Sequence, residues 1–114
     1  KFDFKPKVSQ LRNEISMLGM LRNAWISYRD YDGKLLVYFT TLMSYRGALT
    51  RIEYGIDKDV PDQEWVFPAW DKPGTALITE DVPTYRAIPK ETSFITVRLS
   101  FKDGTRTDVV KYTR

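Results

Sequence analysis

The run Tyr28-Arg29-Asp30-Tyr31-Asp32-Gly33-Lys34-Leu35-Leu36-Val37-Tyr38-Phe39 decides the fold. An Asp-Gly pair between two alternating segments is the signal of a two-residue hairpin, because a type I′ turn needs positive φ at both central positions. Folding the chain there sets Tyr31 against Lys34, Tyr28 against Val37, Ile26 against Phe39 and Ala24 against Thr41. The last three pairs make one apolar face. The opposite face carries Arg29 with Leu36, Ser27 with Tyr38 and Trp25 with Thr40. The register that the turn demands is thus the one that gathers the apolar residues. Antiparallel strands are predicted over 22–31 and 34–44.

A second hairpin closes the chain. Asp103-Gly104 is its turn, and Ile95, Val97, Leu99 and Phe101 alternate with Thr96, Arg98 and Ser100. Val97 then meets Val110 and Ile95 meets Tyr112. Leu99 would face Asp108, a mismatch that a bulge near the turn would relieve. Replacing Gly33 or Gly104 by valine is expected to cost about 1 kcal/mol or more.

Between the hairpins, Tyr45-Arg46-Gly47-Ala48 turns the chain and Leu49–Ile56 alternates as a strand. Glu64–Trp70 is aromatic and extended, although Pro68 argues against a central strand. Asp71-Lys72-Pro73-Gly74 is a turn, Thr75–Thr79 a short edge strand and Tyr85–Ile88 another short strand. Residues 1–8 are basic and read as a linker. Val8, Leu11, Ile15 and Leu18 have helical spacing, with Ser9 as N-cap and Gly19 as stop. A short helix or irregular lead-in over 9–18 is favoured over a strand at Glu14–Leu18.

The count is about seven short strands, which points to two antiparallel sheets packed face to face. In strand rhythm the chain resembles immunoglobulin-like and fibronectin type III-like domains. The resemblance implies an all-β antiparallel sandwich, with a small barrel as the alternative. It stops at rhythm, since the chain has no cysteine for the Cys–Trp–Cys hallmark. Residues 1–19 are taken as lead-in and 20–114 as the sandwich domain.

Composition narrows the function. The 114 residues include no cysteine and no histidine. Thiol chemistry, disulfides, cysteine-bound metals and every His-containing triad are therefore absent. No glycine-rich phosphate loop and no G-x-S-x-G is present, so no catalytic residue and no cofactor is assigned. Charge is segregated: nine basic and four acidic residues in 1–51, two basic and seven acidic in 57–81, seven basic and three acidic in 86–114. No apolar run approaches the ~20 residues of a membrane span, and Lys1–Lys7 lacks the apolar h-region of a signal peptide.

Three clusters could carry a function. Asp57, Asp59, Asp62 and Glu64 offer oxygens to a cation, but Lys58 and Pro61 interrupt them and the twelve-residue calcium loop is missing. The same segment offers Asp57/Glu64, and further on Glu80/Asp81, as carboxylate pairs for glycoside cleavage, with little cleft in so small a sandwich to hold a substrate. Trp65, Phe67, Trp70 and Tyr85 are rings of the kind that stack on sugars or anchor protein contacts, or that fill a core. Arg98, Lys102, Arg106, Lys111 and Arg114 surround the last hairpin. Too few aromatics interleave with them for nucleic acid, and solubility explains them. The expectation is a non-catalytic accessory module of a larger protein. It would contact a protein partner or a neighbouring domain through Asp57, Asp59, Trp65, Phe67 and Trp70. A glycan-binding module using Trp65 and Trp70 is the alternative.

Overall fold

A computed structural model describes residues 4–72 and 75–114, with side chains from Gln10 onward. Helix α1 spans Phe4–Met20; β1 is Ser27–Tyr31, β2 Lys34–Tyr38, α2 Thr40–Ser44, β3 Leu49–Ile56, β4 Gln63–Glu64, β5 Tyr85–Ile88, β6 Phe94–Phe101 and β7 Val110–Thr113. The strands form two antiparallel sheets, ordered β1-β2-β5 and β4-β3-β6-β7. Their facing sides share one apolar cluster. Leu35, Val37 and Ile88 enter it from the first sheet, and Ile52, Tyr54, Ile95, Val97 and Leu99 from the second.

The first hairpin keeps the register set by its turn: Tyr31 pairs Lys34 and Tyr28 pairs Val37. Asp32 and Gly33 both have positive φ, 53° and 75°, as a type I′ turn requires. The strands are shorter than 22–31 and 34–44. Residues Arg22–Ala24 form a 3₁₀ turn, and the chain leaves β2 after Tyr38 to make α2. The cause lies in Leu42 and Met43, which are adjacent and both fully buried. A strand would send them to opposite faces, whereas one helical turn puts both into the core.

The second hairpin also keeps its pairs, Val97 with Val110 and Ile95 with Tyr112. Nearer the turn the register slips by one residue. The Thr107 N–H donates to the Leu99 carbonyl at 2.9 Å, and Arg106 bridges Ser100. The slip removes the Leu99–Asp108 mismatch and leaves Asp108 in solvent. Of the two turn residues here, only Gly104 has positive φ, 90°. Phe101 donates to the Thr105 carbonyl, so three residues close this loop rather than two. Valine at Gly33 or Gly104 is strained in either turn. Urea unfolding of each variant is expected to show a loss of about 1 kcal/mol or more.

Three further expectations change. The N-terminal helix is longer than 9–18: Ser9 lies inside it and Gly19 does not stop it. It docks through Leu18, which is fully buried, with Leu11 and Ile15 partly covered. Residues 4–8, expected as linker, belong to the helix; residues 1–3 lie outside the described part. Thr75–Thr79 is not a strand. Ala76 donates to the Ser44 carbonyl, but Leu77 and Ile78 face solvent and the segment runs past α2 instead of along a sheet edge. The turn expected at 71–74 falls partly on Pro73 and Gly74, outside the described residues.

Two tyrosines tie the sheets together at the β1/β7 side. Tyr28 donates to the Tyr112 carbonyl, and Tyr112 donates to the Arg22 carbonyl, each at 2.5 Å. Burial pushes the Tyr28 phenol up to about 12 and raises that of Tyr112 as well. Free tyrosine ionises near pH ~10, so above that pH the unfolded chain has lost protons that the folded chain keeps. The stability contributed by these groups is therefore full below about pH 10 and falls as pH rises toward about 12. Thermal unfolding at stepped pH is expected to show this fall. Tyr28→Phe should flatten it.

Candidate functional site

The acidic segment is committed to the fold. Asp57 sits at positive φ, 55°, just beyond β3. Its Oδ1 accepts the N–H groups of Ser93 and Phe94 at 2.8 and 3.2 Å, holding the entry to β6. Asp59 pairs with Lys111 at 3.1 Å, Asp62 with Lys58 at 2.7 Å and Glu64 with Arg51 at 3.7 Å. The Lys58 hydrogen bond holds the Asp62 carboxyl below the usual carboxylate range. Among the described residues no three potential ligands converge on one point. Farther along the chain, Asp81 accepts the Thr79 hydroxyl.

The aromatic segment after β4 forms a strap over one end of the core. Trp65 is 6% exposed and stacks on Phe39 with ring centres 4.0 Å apart and planes at 10°. Tyr54 meets the indole edge-on at 6.1 Å. Phe67 is partly buried against the same cluster. Trp70 is half-buried beneath the Arg46 guanidinium, 5.3 Å from its ring centre, with the Lys72 ammonium at 5.6 Å. Gly47 lets this ring approach: a Cβ there would lie 3.1 Å from Trp70 Cδ1. The buried Arg46 fastens the strap, donating from Nε to the Pro68 carbonyl and from Nη1 to the Met43 carbonyl, both at 3.0 Å. Lys102 Nζ adds a bond to the Trp70 carbonyl at 2.9 Å. Trp65 and Phe67 border one open cleft of about 270 Å³ with Glu64, Val66 and Lys102, but Trp70 does not line it, and Asp57 and Asp59 lie on other contacts.

The basic residues of the last hairpin are dispersed. Arg98 pairs with Glu53 at 3.0 Å, and the Lys111 ammonium lies 4.3 Å from the Phe94 ring centre. Arg114 donates to the Lys90 and Thr92 carbonyls.

A different surface gathers exposed rings. On the outer side of the β1-β2-β5 sheet, Arg29, Tyr31, Lys34, Leu36, Tyr38 and Tyr85 line an open groove of about 420 Å³. Alternation along the strands brings them there. Arg29 and Tyr31 come from β1, Lys34, Leu36 and Tyr38 from β2, and Tyr85 from β5. Arg29 pairs with Leu36, and Tyr38 with Tyr85, whose rings lie 5.3 Å apart at 30°. The Arg29 guanidinium sits 5.0 Å from the Tyr31 ring centre. Leu36 forms the floor and is only 7% exposed, because the larger side chains cover it. Tyr31, the last residue of the edge strand β1, and Tyr85, the first of the edge strand β5, are 56% and 55% exposed. Among the described residues no carboxylate lines the groove.

Of these six residues, sequence reasoning singled out only Tyr85, as an adjunct to Trp65. The face opposite the apolar one was visible in the hairpin register, since Arg29–Leu36 and Ser27–Tyr38 fall on it. Its apolar Leu36 and Tyr38, where solvent-facing polar residues are expected, were the available signal. The arrival of β5 beside β2 was not legible, because a strand separated by 46 residues carries no local mark of its partner.

Comparison with known proteins finds no matching family model, no matching curated protein and no matching solved structure. No helix among the described residues is long and apolar enough to cross a membrane.

Proposed function

We propose that this chain is a non-catalytic interaction module of a larger protein, spacing or docking other parts through a protein contact. Residues 20–114 form the module and 1–19 its lead-in, docked through Leu18. The outer face of the β1-β2-β5 sheet is the contact surface, and the exposure of Tyr31 and Tyr85 on it carries the proposal. Tyrosine offers large, stiff contact area at little entropic cost and is enriched where proteins meet. Catalysis has little to work with: histidine and cysteine are absent, and each carboxylate of the 57–64 segment is paired.

We also take the sandwich to be immunoglobulin-like, nearest to the fibronectin type III kind. Lettering β1, β2, β3, β5, β6 and β7 as A, B, C, E, F and G gives the neighbours A-B-E and C-F-G of that architecture, with β4 beside C. This order supports the kinship that strand rhythm suggested. A glycan taken by Trp65 and Trp70 is the weaker alternative, since Trp65 would have to leave its stack on Phe39.

The test is a screen of the domain against peptide and glycan arrays, run beside Tyr31→Ser/Tyr85→Ser. Both positions are exposed, so the melting temperature should move by no more than about 2 °C. Peptide binding that the double variant loses by about tenfold or more is expected. Peptide binding that survives in full would overturn the choice of face. Glycan binding alone would favour the alternative.

A further inference from the structure

We infer that the groove on the β1-β2-β5 sheet takes an extended peptide segment with acidic residues at one end and an apolar residue following them. This rests on the contact-module proposal and names the chemistry of its partner.

The shape of the groove sets the length of the occupant. Tyr31 pairs with Lys34, and Tyr38 lies four residues farther along β2 beside Tyr85. At about 3.4 Å per residue the two aromatic walls stand roughly 14 Å apart, the span of four extended residues. Leu36, with Ala87 as its neighbour on β5, lies midway. Leu36 is itself nearly covered, so an apolar side chain there would rest on the tyrosine rings and the exposed Ala87.

The backbone cannot hold this occupant. β2 is the central strand and is paired on both sides, so its N–H and C=O groups are used. Strand addition belongs to sheet edges. Binding at the middle of the face must come from side chains, and those present are two cations and three phenols around an apolar floor.

Charge selects among ligand classes. Arg29 and Lys34 line the groove and no acid accompanies them. The Arg29 guanidinium, held over the Tyr31 ring, keeps its edge free to engage a carboxylate. Neutral sugars are read largely by carboxylates and amides, which the lining lacks. A nucleic acid or sulfated polysaccharide would call for a continuous row of cations. Here both cations lie toward the turn, Arg29 opposite Leu36 and Lys34 beside Tyr31, while Tyr38 and Tyr85 close the other end; acidic residues followed by an apolar one are a pattern that a polypeptide supplies.

The experiment uses a library of immobilised twelve-residue peptides with acidic, neutral or basic residues at one end and apolar residues at the other, together with sulfated oligosaccharides. The domain is compared with Arg29→Gln/Lys34→Gln, Arg29→Glu/Lys34→Glu and Tyr31→Ser/Tyr85→Ser. Wild-type domain should retain the peptides with an acidic end. Binding should fall by about tenfold in the Gln variant, further in the Glu variant, and steeply at about 1 M salt. Peptide binding lost in the tyrosine variant but indifferent to charge would overturn the acidic assignment and leave the contact module standing. Retention of sulfated oligosaccharides alone would overturn the peptide. No retention on any arm would overturn both.

Discussion

Trp65→Ala is expected to destabilise the domain by about 3–5 kcal/mol, the usual cost of deleting a large buried ring. The indole is 6% exposed, lies flat on the fully buried Phe39 and meets Tyr54 edge-on. Removing it opens a cavity against Phe39 and Tyr54, and the strap lies across the outside. The N–H of Trp65 also bonds the Ile52 carbonyl, which keeps the backbone in place and prevents easy collapse. Against a total stability of roughly 5–15 kcal/mol, such a loss is a large fraction. Trp65→Phe should cost less, because a ring remains against Phe39 and the enclosed indole Nε1, which has no hydrogen-bond partner among the described residues, is removed with the substitution. Urea unfolding of both variants reads the difference. A loss below about 1 kcal/mol in the alanine variant would place Trp65 outside the core and return it to the candidate ligand contacts.

Arg46→Ala is the second large effect, expected at about 2–4 kcal/mol. Arg46 is only 3% exposed, yet it bridges the Met43 carbonyl at the end of α2 and the Pro68 carbonyl in the strap. Its guanidinium also covers Trp70. Truncation leaves two carbonyls without their charged donor and releases the strap on one side. Arg46→Lys should rescue little, since a single ammonium cannot reproduce the fork that reaches both oxygens while lying on a ring. A second readout separates strap release from general destabilisation. Acrylamide quenching of the combined Trp65 and Trp70 emission should rise in Arg46→Ala under conditions where the domain remains folded, measured in a Trp25→Phe background.

Both hairpins were legible because each rests on local signals that agree. Asp32-Gly33 sets a register, and Tyr28, Val37, Leu35 and Ile26 make that register the one worth burying. β3 was legible for the same reason, as Ile52 and Tyr54 alternate inward. The misread segments are those where tertiary packing overrides alternation. Thr40–Ser44 alternates well enough for a strand, but burying both Leu42 and Met43 requires a helical turn. Thr75–Thr79 has the composition of an edge strand and finds no edge to join.

Site residues were less legible than the fold. Aromatic content drew attention to Trp65, Phe67 and Trp70, and composition alone does not say which way a ring points. The direction was set by Pro68, Arg46 and Lys102, which bend and fasten the strap through backbone carbonyls. The tyrosine face, by contrast, depends on β5 meeting β2 across 46 intervening residues. The unused information was the presence of Leu36 and Tyr38 on a side of the hairpin that solvent should occupy.

The proposed contact surface is the outer sheet face and not the strap. Nitration of tyrosines, read by mass spectrometry with and without a peptide retained on the array, distinguishes the two. In the free domain Tyr31 and Tyr85 should be modified, while Tyr28, Tyr54 and Tyr112, which are buried or half-buried, should be spared. With peptide bound, Tyr31 and Tyr85 should be protected together. Unchanged modification of both, with the peptide instead shielding Trp70 from acrylamide, would contradict the account.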